Sequence, residues 1–148
     1  EVLIETKNWN KIIKNPKRQI RYVLKKFPDY YKFKHKKVFI TVLLTNNKKI
    51  KLLNKKFRNK NKPTDILSFP FFEKKNIKKI SKDKKFYLGD MAISYEEFSK
   101  KNKRNYLDGF IKIIIHGFLH LLNFDHKLDK DYKIMISIEN KIYKKVKG

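Results

Sequence analysis

The chain has 148 residues, of which 41% are apolar. This length is enough for one domain with a substantial core over residues 1–148 and too short for two domains. Its 39 lysines and arginines against 14 aspartates and glutamates give a formal charge of +25, which attracts polyanions such as nucleic acids. The absence of cysteine excludes disulfides, thiolate nucleophiles and thiolate metal sites, so any metal must bind His, Asp or Glu.

The first third of the chain predicts two strands and a helix between them. Apolar and β-branched residues predict strands over residues 2–6 and 37–45. Pro16 suits the first turn of a helix, and Pro28 would stop it. The inner face of that helix is predicted to hold Ile20, Val23, Leu24 and Phe27.

An asparagine at position 46 or 47 can cap a second helix that runs to about Phe57. Its predicted inner stripe contains Ile50, Leu53 and Phe57, and Arg58 falls at its end. The following polar loop leads to a strand over residues 65–69, which Pro70 stops. A lysine-rich connection over residues 74–85 is expected to be a surface loop.

The second half predicts one more strand and three helices. Residues 86–94 form the strand, after which Ser94 and Glu97 have the spacing of a capping box. Apolar residues surround most of residues 107–122, which predicts a buried helix. Asp129 can cap a last helix, whose apolar period is interrupted by Glu139. Strands interleaved with helices indicate a mixed α/β or α+β domain with one sheet.

The longest uncharged stretch covers residues 113–124, which is shorter than the roughly 20 apolar residues that a membrane span needs. The first residues contain no apolar targeting segment, so we expect a soluble, cytoplasmic protein that does not bind a membrane. All but four of the basic residues are lysines, which codon bias on a solvated surface would also produce. Charge therefore supports a nucleic-acid partner without establishing one.

Three of the four histidines occur together in the segment HGFLHLLNFDH. His116 and His120 are four residues apart, so on a helix they lie about 6 Å apart along the axis and can share one metal ion. On a continued helix His126 would lie about 15 Å from His116, so the helix must end near Leu122 and the chain must turn back. Asn123 stands where such a turn requires a residue that tolerates left-handed backbone.

Three histidine ligands with one open position are typical of catalytic zinc sites, in which bound water becomes acidic enough to act as a nucleophile. We therefore predict one Zn²⁺ per chain, bound by His116, His120 and His126. The competing interpretation is a set of core histidines, although buried imidazoles without partners would be unfavourable. The fourth histidine, His35, lies in a lysine run and is expected to be exposed and without a role.

The histidine spacing equals that of the metzincin peptidases, HExxHxxGxxH, but Gly117 replaces their general-base glutamate. A peptidase would therefore lack its proton acceptor. Phosphodiester hydrolysis suits the basic chain better, because a metal polarises a phosphoryl oxygen and a cation stabilises charge in the transition state. The sequence names no convincing general base. An RNA-binding protein with a structural metal and a small-substrate metallohydrolase remain alternatives.

Two further segments accompany the histidines. One comprises residues 53–58, with Arg58 at its end, followed by PTDILSFP at residues 63–70, and the other is LGDMAIS at residues 88–94. With these segments in this order, the chain resembles the YbeY endoribonucleases, the bacterial rRNA maturation factors, over residues 38–140.

The resemblance implies a zinc-dependent endoribonuclease that prefers single-stranded RNA, matures the 3′ end of the small-subunit rRNA and takes part in ribosome quality control. It implies an α+β fold in a single domain, with a mostly four-stranded mixed sheet and a buried metal-binding helix. It matches His116, His120 and His126 to the zinc ligands and Arg58 to an arginine important for activity. A cation favoured at a helix C-terminus is the alternative role for Arg58.

The chain departs from the family pattern at two positions, where Asn123 replaces a glycine and Phe124 replaces a tyrosine. Neither departure affects a matched ligand. Asp65 is expected either to orient neighbouring groups or to cap a turn. Asp125 is a candidate partner of a ligand histidine.

Overall fold

The computed structural model describes residues 1–28, 37–72, 85–124 and 126–148. Three subjects of the sequence predictions lie outside these residues: most of the lysine-rich connection, His35 and Asp125. The expectations for them therefore stay predictions. Among the described residues, no helix combines the length and apolarity needed to cross a membrane.

Four strands form one mixed sheet in the order β1-β2-β4-β3. These are β1 (Val2–Ile4), β2 (Lys37–Thr45), β3 (Ile66–Pro70) and β4 (Lys85–Ser94). β2 pairs in parallel with β1 and β4, whereas β3 pairs antiparallel with β4. The predicted α+β class and four-stranded mixed sheet are therefore confirmed, with the first strand shorter than expected.

The described residues contain six helices. They are α1 (Asn8–Ile12), α2 (Pro16–Lys26), α3 (Asn47–Arg58), α4 (Tyr95–Lys101), α5 (Tyr106–Leu121) and α6 (Asp129–Lys147). The short α1 was not predicted, because only Trp9 within it is buried and one buried side chain produces no periodicity. The Trp9 indole donates to the Thr45 carbonyl at 3.1 Å and so fastens α1 to the end of β2.

The main core lies between one face of the sheet and helices α2, α5 and α6. α5 is buried on most sides, as predicted, and packs against β3, β4, α2 and α6. A Cβ at position 117 would lie 2.4 Å from the Met91 sulfur and 2.7 Å from Ile66 Cδ1. Gly117 therefore lets α5 approach the sheet closely, which holds the histidine-bearing end of the helix against β3.

Within the part of the chain that the structure describes, the opposite face of the sheet is covered only in part. α3 packs Ile50 on Leu67 and Ala92, with Leu43, Leu53 and Phe69 at the border of this smaller cluster. The prediction that Phe57 faces inward is wrong, because 58% of Phe57 is exposed. Helical periodicity predicts the inner side of α3, but it does not show where the apolar sheet beneath it ends.

Asparagine side chains cap three of the helices. Asn46 accepts from the Lys49 amide, Asn15 from the Arg18 amide and Asn105 from the Asp108 amide. Ser94 does precede α4, but its hydroxyl makes no cap bond and donates instead to Asn47 Oδ1, so the capping-box prediction is wrong. The Glu97 carboxylate likewise accepts from the Asn47 side chain, which ties α4 to the start of α3.

Candidate metal centre and nucleic-acid cleft

His116 and His120 lie in the last turns of α5, on one face of the helix. Their Nε2 atoms are 3.1 Å apart, and the ring centroids are 4.6 Å apart. Each side chain is partly exposed, whereas the neighbouring apolar residues of α5 are buried. The four-residue spacing therefore places two imidazole nitrogens side by side at the protein surface, as the sequence predicts.

The chain reverses directly after α5 through the predicted left-handed residue. Asn123 has φ of 70°. Its amide donates to the His120 carbonyl at 2.9 Å, and the Phe124 amide donates to the Leu119 carbonyl at 3.0 Å. These two bonds form the Schellman motif, which ends a helix and turns the chain away from its axis. The Asn123 side chain also donates to the Phe72 carbonyl at 2.8 Å, a bond that glycine could not make.

This reversal returns His126 to the other two histidines. Its ring centroid lies 5.5 Å from that of His116 and 4.9 Å from that of His120. One ligand nitrogen from each of the three rings lies within 4.8 Å of the other two. The three histidines are thus close enough to bind one metal ion. The left-handed turn at Asn123, which the sequence predicts, brings His126 back to the other two.

A carboxylate orients the first of these rings. His116 Nδ1 lies 2.6 Å from Glu139 Oε1 on α6, and about a quarter to a third of each side chain is exposed. A carboxylate at Nδ1 holds the proton on that nitrogen, which leaves the Nε2 lone pair directed away from α6. Glu139 is the polar residue that interrupts the apolar period of α6, and that interruption was the only sign of it in the sequence.

The donor set fits a divalent ion. Two nitrogens bound to one tetrahedral ion at roughly 2.0–2.1 Å lie about 3.4 Å apart, close to the 3.1 Å between the Nε2 atoms of His116 and His120. Imidazole nitrogen is a common ligand of zinc and of other borderline transition metals. The Glu139 carboxylate behind His116 is the arrangement that accompanies metal-binding histidines. The three histidines and Glu139 can therefore hold a transition-metal ion.

Arg58 reaches the same region from the last turn of α3. Its Nη2 donates to the Ser68 carbonyl on β3 at 2.7 Å, and its guanidinium lies 5.6 Å from the centre of the Phe69 ring. Ser68 in turn donates from its hydroxyl to the Gly117 carbonyl at 3.3 Å. Arg58 is thus both a helix C-terminal cation and a neighbour of the histidine-bearing helix through β3.

The histidines and Arg58 line one cleft of about 710 Å³. Lys60, Lys62 and Lys127 also line it, so the wall carries several positive charges. The buried Asn54 anchors the loop with the first two of these lysines, because its side chain donates to the Lys62 carbonyl at 2.8 Å. A concave surface that combines cations with three imidazoles suits a phosphate-bearing polymer.

Asp65 also lines the cleft but is engaged within the protein. Its Oδ1 accepts a hydrogen bond from the Ile66 amide at 2.8 Å, and its Oδ2 forms a salt bridge with Lys101 at 3.4 Å. These contacts match the turn-capping alternative for Asp65 and tie the loop to α4. Neither Asn54 nor Ser68 was singled out by the sequence, since an asparagine in a helix and a serine in a strand carry no distinctive spacing.

Position 117, where metzincin peptidases carry their general-base glutamate, faces the sheet and not the histidines. Because a Cβ at Gly117 would strike Met91 and Ile66, a side chain at 117 would point into the sheet. A glutamate there could not reach a ligand at the histidines. The geometry therefore disfavours the peptidase alternative for a reason beyond the missing carboxylate.

Comparison with known proteins connects this site to one family. A profile of the family described as Endoribonuclease YbeY matches residues 3–147. The chain is 51% identical over 150 residues to Endoribonuclease YbeY of Pelagibacter ubique, which covers 99% of this chain and 95% of that protein. It is 34% identical over 154 residues to the protein of the same name from Ehrlichia canis, covering 99% of this chain and 92% of that protein.

A solved structure shares the fold. The solution structure of TM1509 from Thermotoga maritima aligns with a TM-score of 0.55 at 27% sequence identity, covering 99% of this chain and 89% of that one. The family profile and the full-length relatives confirm the predicted resemblance and the enzyme class, a nuclease that hydrolyses phosphodiester bonds. The chain belongs to the YbeY endoribonuclease family.

Proposed function

We propose that this protein is a zinc-dependent endoribonuclease whose catalytic ion is held by His116, His120 and His126. The observation that carries the proposal is the convergence of three imidazoles in a cleft that Arg58 and several lysines also line. Imidazoles alone would fit many metalloenzymes. Their combination with a cationic cleft in a chain of charge +25 favours a polyanionic substrate.

A divalent ion bound at such a site lowers the pKa of a water ligand and polarises a phosphoryl oxygen. Glu139 fixes the ring of His116, and the turn at Asn123 fixes the approach of His126. Arg58 has five N–H donors, so its bond to Ser68 leaves donors for a phosphoryl oxygen of the substrate. Lys60, Lys62 and Lys127 would bind neighbouring phosphates and set the position of the strand in the cleft.

We further propose that the substrate is ribosomal RNA in the cytoplasm. The family resemblance supports action on single-stranded RNA, in particular the 3′ end of the small-subunit rRNA, and a part in ribosome quality control. This assignment includes contact with the small ribosomal subunit, where that RNA resides. Residues 1–148 would carry the whole activity as one metal-dependent domain.

The test is cleavage of a single-stranded RNA by the purified protein before and after removal of metal with a chelator. We expect the chelated protein to lose cleavage and added Zn²⁺ to restore it. A protein that binds both RNA and zinc without cutting the strand would instead be an RNA-binding protein with a structural metal. Turnover of a peptide but not of RNA would point to a different metallohydrolase.

A further inference from the structure

We propose that the part of this sheet face that α3 leaves uncovered, among the described residues, is a stacking platform for unpaired bases of the RNA. We define this aromatic face as Phe39, Phe57, Phe69, Phe71 and Tyr87. The proposal rests on the proposed function, because it takes the occupant to be the substrate strand. It adds a binding site outside the histidine cleft and a physical source for a preference for single strands.

The rings share one side of the sheet. Phe39 and Thr41 are two residues apart on β2 and so face the same side, and Thr41 is paired with Asp90 on β4, which is paired in turn with Phe69 on β3. Tyr87, the partner of Phe39, lies on that side too, because the register shifts after this pair and its hydroxyl bonds to Thr41 and Asp90. The Phe71 ring lies 5.9 Å from the Tyr87 ring, and the Phe57 ring lies 5.3 Å from the Phe69 ring.

Several of these rings are open to solvent although they are large and apolar. The exposed fraction is 47% for Phe39, 58% for Phe57 and 66% for Phe71. Exposed aromatic clusters on one surface are unusual in a free protein and indicate a binding face. Aromatic side chains on a sheet surface are the means by which several RNA-binding modules stack successive bases.

Cations at both ends of the aromatic face favour a nucleic acid as occupant. Lys37 and Lys85 are paired at the exposed starts of β2 and β4. At the other end, the Lys56 ammonium lies 5.3 Å from the Phe57 ring centre, and the Arg58 guanidinium lies 5.6 Å from that of Phe69. Rings for bases with flanking cations for phosphates are the features of a single-strand site.

The face is continuous with the cleft through the strand β3. Ser68 on β3 lines the cleft, and its neighbour Phe69 points to the aromatic face. Arg58 contacts both residues. An RNA strand that leaves the histidines can therefore cross β3 beside Arg58 and lay its next bases on the rings.

A polar group lies among the rings. The Tyr87 hydroxyl donates to the Asp90 carboxylate, and it also bonds to the Thr41 hydroxyl. Burial of the Tyr87 hydroxyl and its bond to Asp90 raise the pKa of Tyr87, so it stays a neutral donor. Asp90 would repel a phosphate but can accept a hydrogen bond from a base, which directs bases rather than the backbone to this surface.

The experiment measures binding of a short labelled single-stranded RNA by fluorescence anisotropy, with chelator present so that the strand stays intact. The probe is compared with a ribose-phosphate strand of equal length that lacks bases. The platform variant combines Phe39→Ala and Phe71→Ala, and a second variant carries Trp at both positions to retain stacking. Tyr132→Ala on α6 is the matched control, because Tyr132 is an aromatic residue that is 52% exposed and lies elsewhere.

We expect the alanine variant to bind the RNA about tenfold or more weakly, because it lacks two of the rings on which bases would stack. Its affinity for the strand without bases should equal that of the unmodified protein, and the tryptophan variant should keep full RNA affinity. Tyr132→Ala should change neither. Thermal unfolding of the variants checks that the exposed substitutions leave the fold intact.

Equal RNA affinity of the alanine variant and the unmodified protein would overturn the platform. The platform would also be overturned if the unmodified protein bound the strand without bases as tightly as it binds the RNA. Unchanged RNA binding together with loss of a dimer in the alanine variant would assign the face to a second copy of the chain instead. Base-dependent binding that these phenylalanines control, in a protein that never cuts RNA, would preserve the platform and refute the proposed nuclease.

Discussion

His116 on α5 and Glu139 on α6 face each other across the interface of the two helices, with Nδ1 and Oε1 2.6 Å apart. They are 23 positions apart in the sequence, and the second residue carries no motif. The contact joins the last helix of the chain to the histidine cluster. The carboxylate contacts the ring on the side opposite the nitrogen that faces His120, so Glu139 would position His116 for a bound metal ion.

We predict that Glu139→Ala lowers zinc affinity about 10- to 100-fold, the usual cost of removing such a partner. Glu139→Gln keeps a hydrogen-bond acceptor but removes the charge, so it should lose less affinity. Competition against a chromophoric chelator measures the affinity directly. Asp129→Ala, at the exposed start of the same helix, is the control. Equal zinc affinity in Glu139→Ala and the unmodified protein would show that the contact has no part in metal binding.

Arg58→Ala should keep the metal and the fold but slow RNA cleavage about 10²- to 10³-fold, as removal of a single donor to transition-state charge does in other enzymes. Arg58→Lys should fall between, because an ammonium retains charge without the planar fork. Single-turnover cleavage measures both. Lys51→Ala, an exposed lysine on the same helix, is the control for general loss of charge, and cleavage by Arg58→Ala at the unmodified rate would leave only the helix-terminal role.

Asn123→Ala should destabilise the protein in two ways. The left-handed backbone costs alanine about 1–2 kcal/mol, and the lost side-chain bond to the Phe72 carbonyl costs about 0.5–1.5 kcal/mol more. Asn123→Gly keeps the backbone and loses only the bond, so it should be the more stable variant. Urea unfolding gives the two free energies, and equal values for the two variants would refute the role of backbone conformation.

The pKa of Asp108 is lowered from its ordinary 3.8, chiefly by the hydrogen bond from Tyr143 and further by Lys112 at 3.1 Å. A carboxyl with a lowered pKa stabilises the fold above its ordinary pKa, and this contribution is lost as pH falls through the lowered value. Tyr143→Phe should therefore destabilise the protein at neutral pH, with a difference that shrinks below pH 3.8. Urea unfolding across this range measures it, and a difference independent of pH would contradict the coupling.

Local signals account for the parts of the site that the sequence predicts. The spacing of His116 and His120 and the need for a left-handed residue at Asn123 both follow from helix geometry, so the convergence of the three histidines could be predicted without coordinates. The strands and the buried helix α5 likewise follow from composition and periodicity.

Contacts between distant segments were beyond local patterns. Glu139 faces His116 only because α6 packs on α5, and Ser68 joins Arg58 to Gly117 only because β3 lies between their helices. The inward placement of Phe57 failed for the same reason, since the extent of the sheet under α3 is set by tertiary packing. The open aromatic face follows from that packing and has no signature in the sequence.

The most direct test of the metal centre is a zinc titration of His126→Ala in parallel with RNA cleavage. His126 lies beyond the turn, so its removal tests the reversal at Asn123 as well as the third ligand. We predict about one zinc ion per unmodified chain, and a variant that loses tight zinc binding and cleavage together. A variant that binds zinc and cuts RNA as well as the unmodified protein does would contradict this prediction.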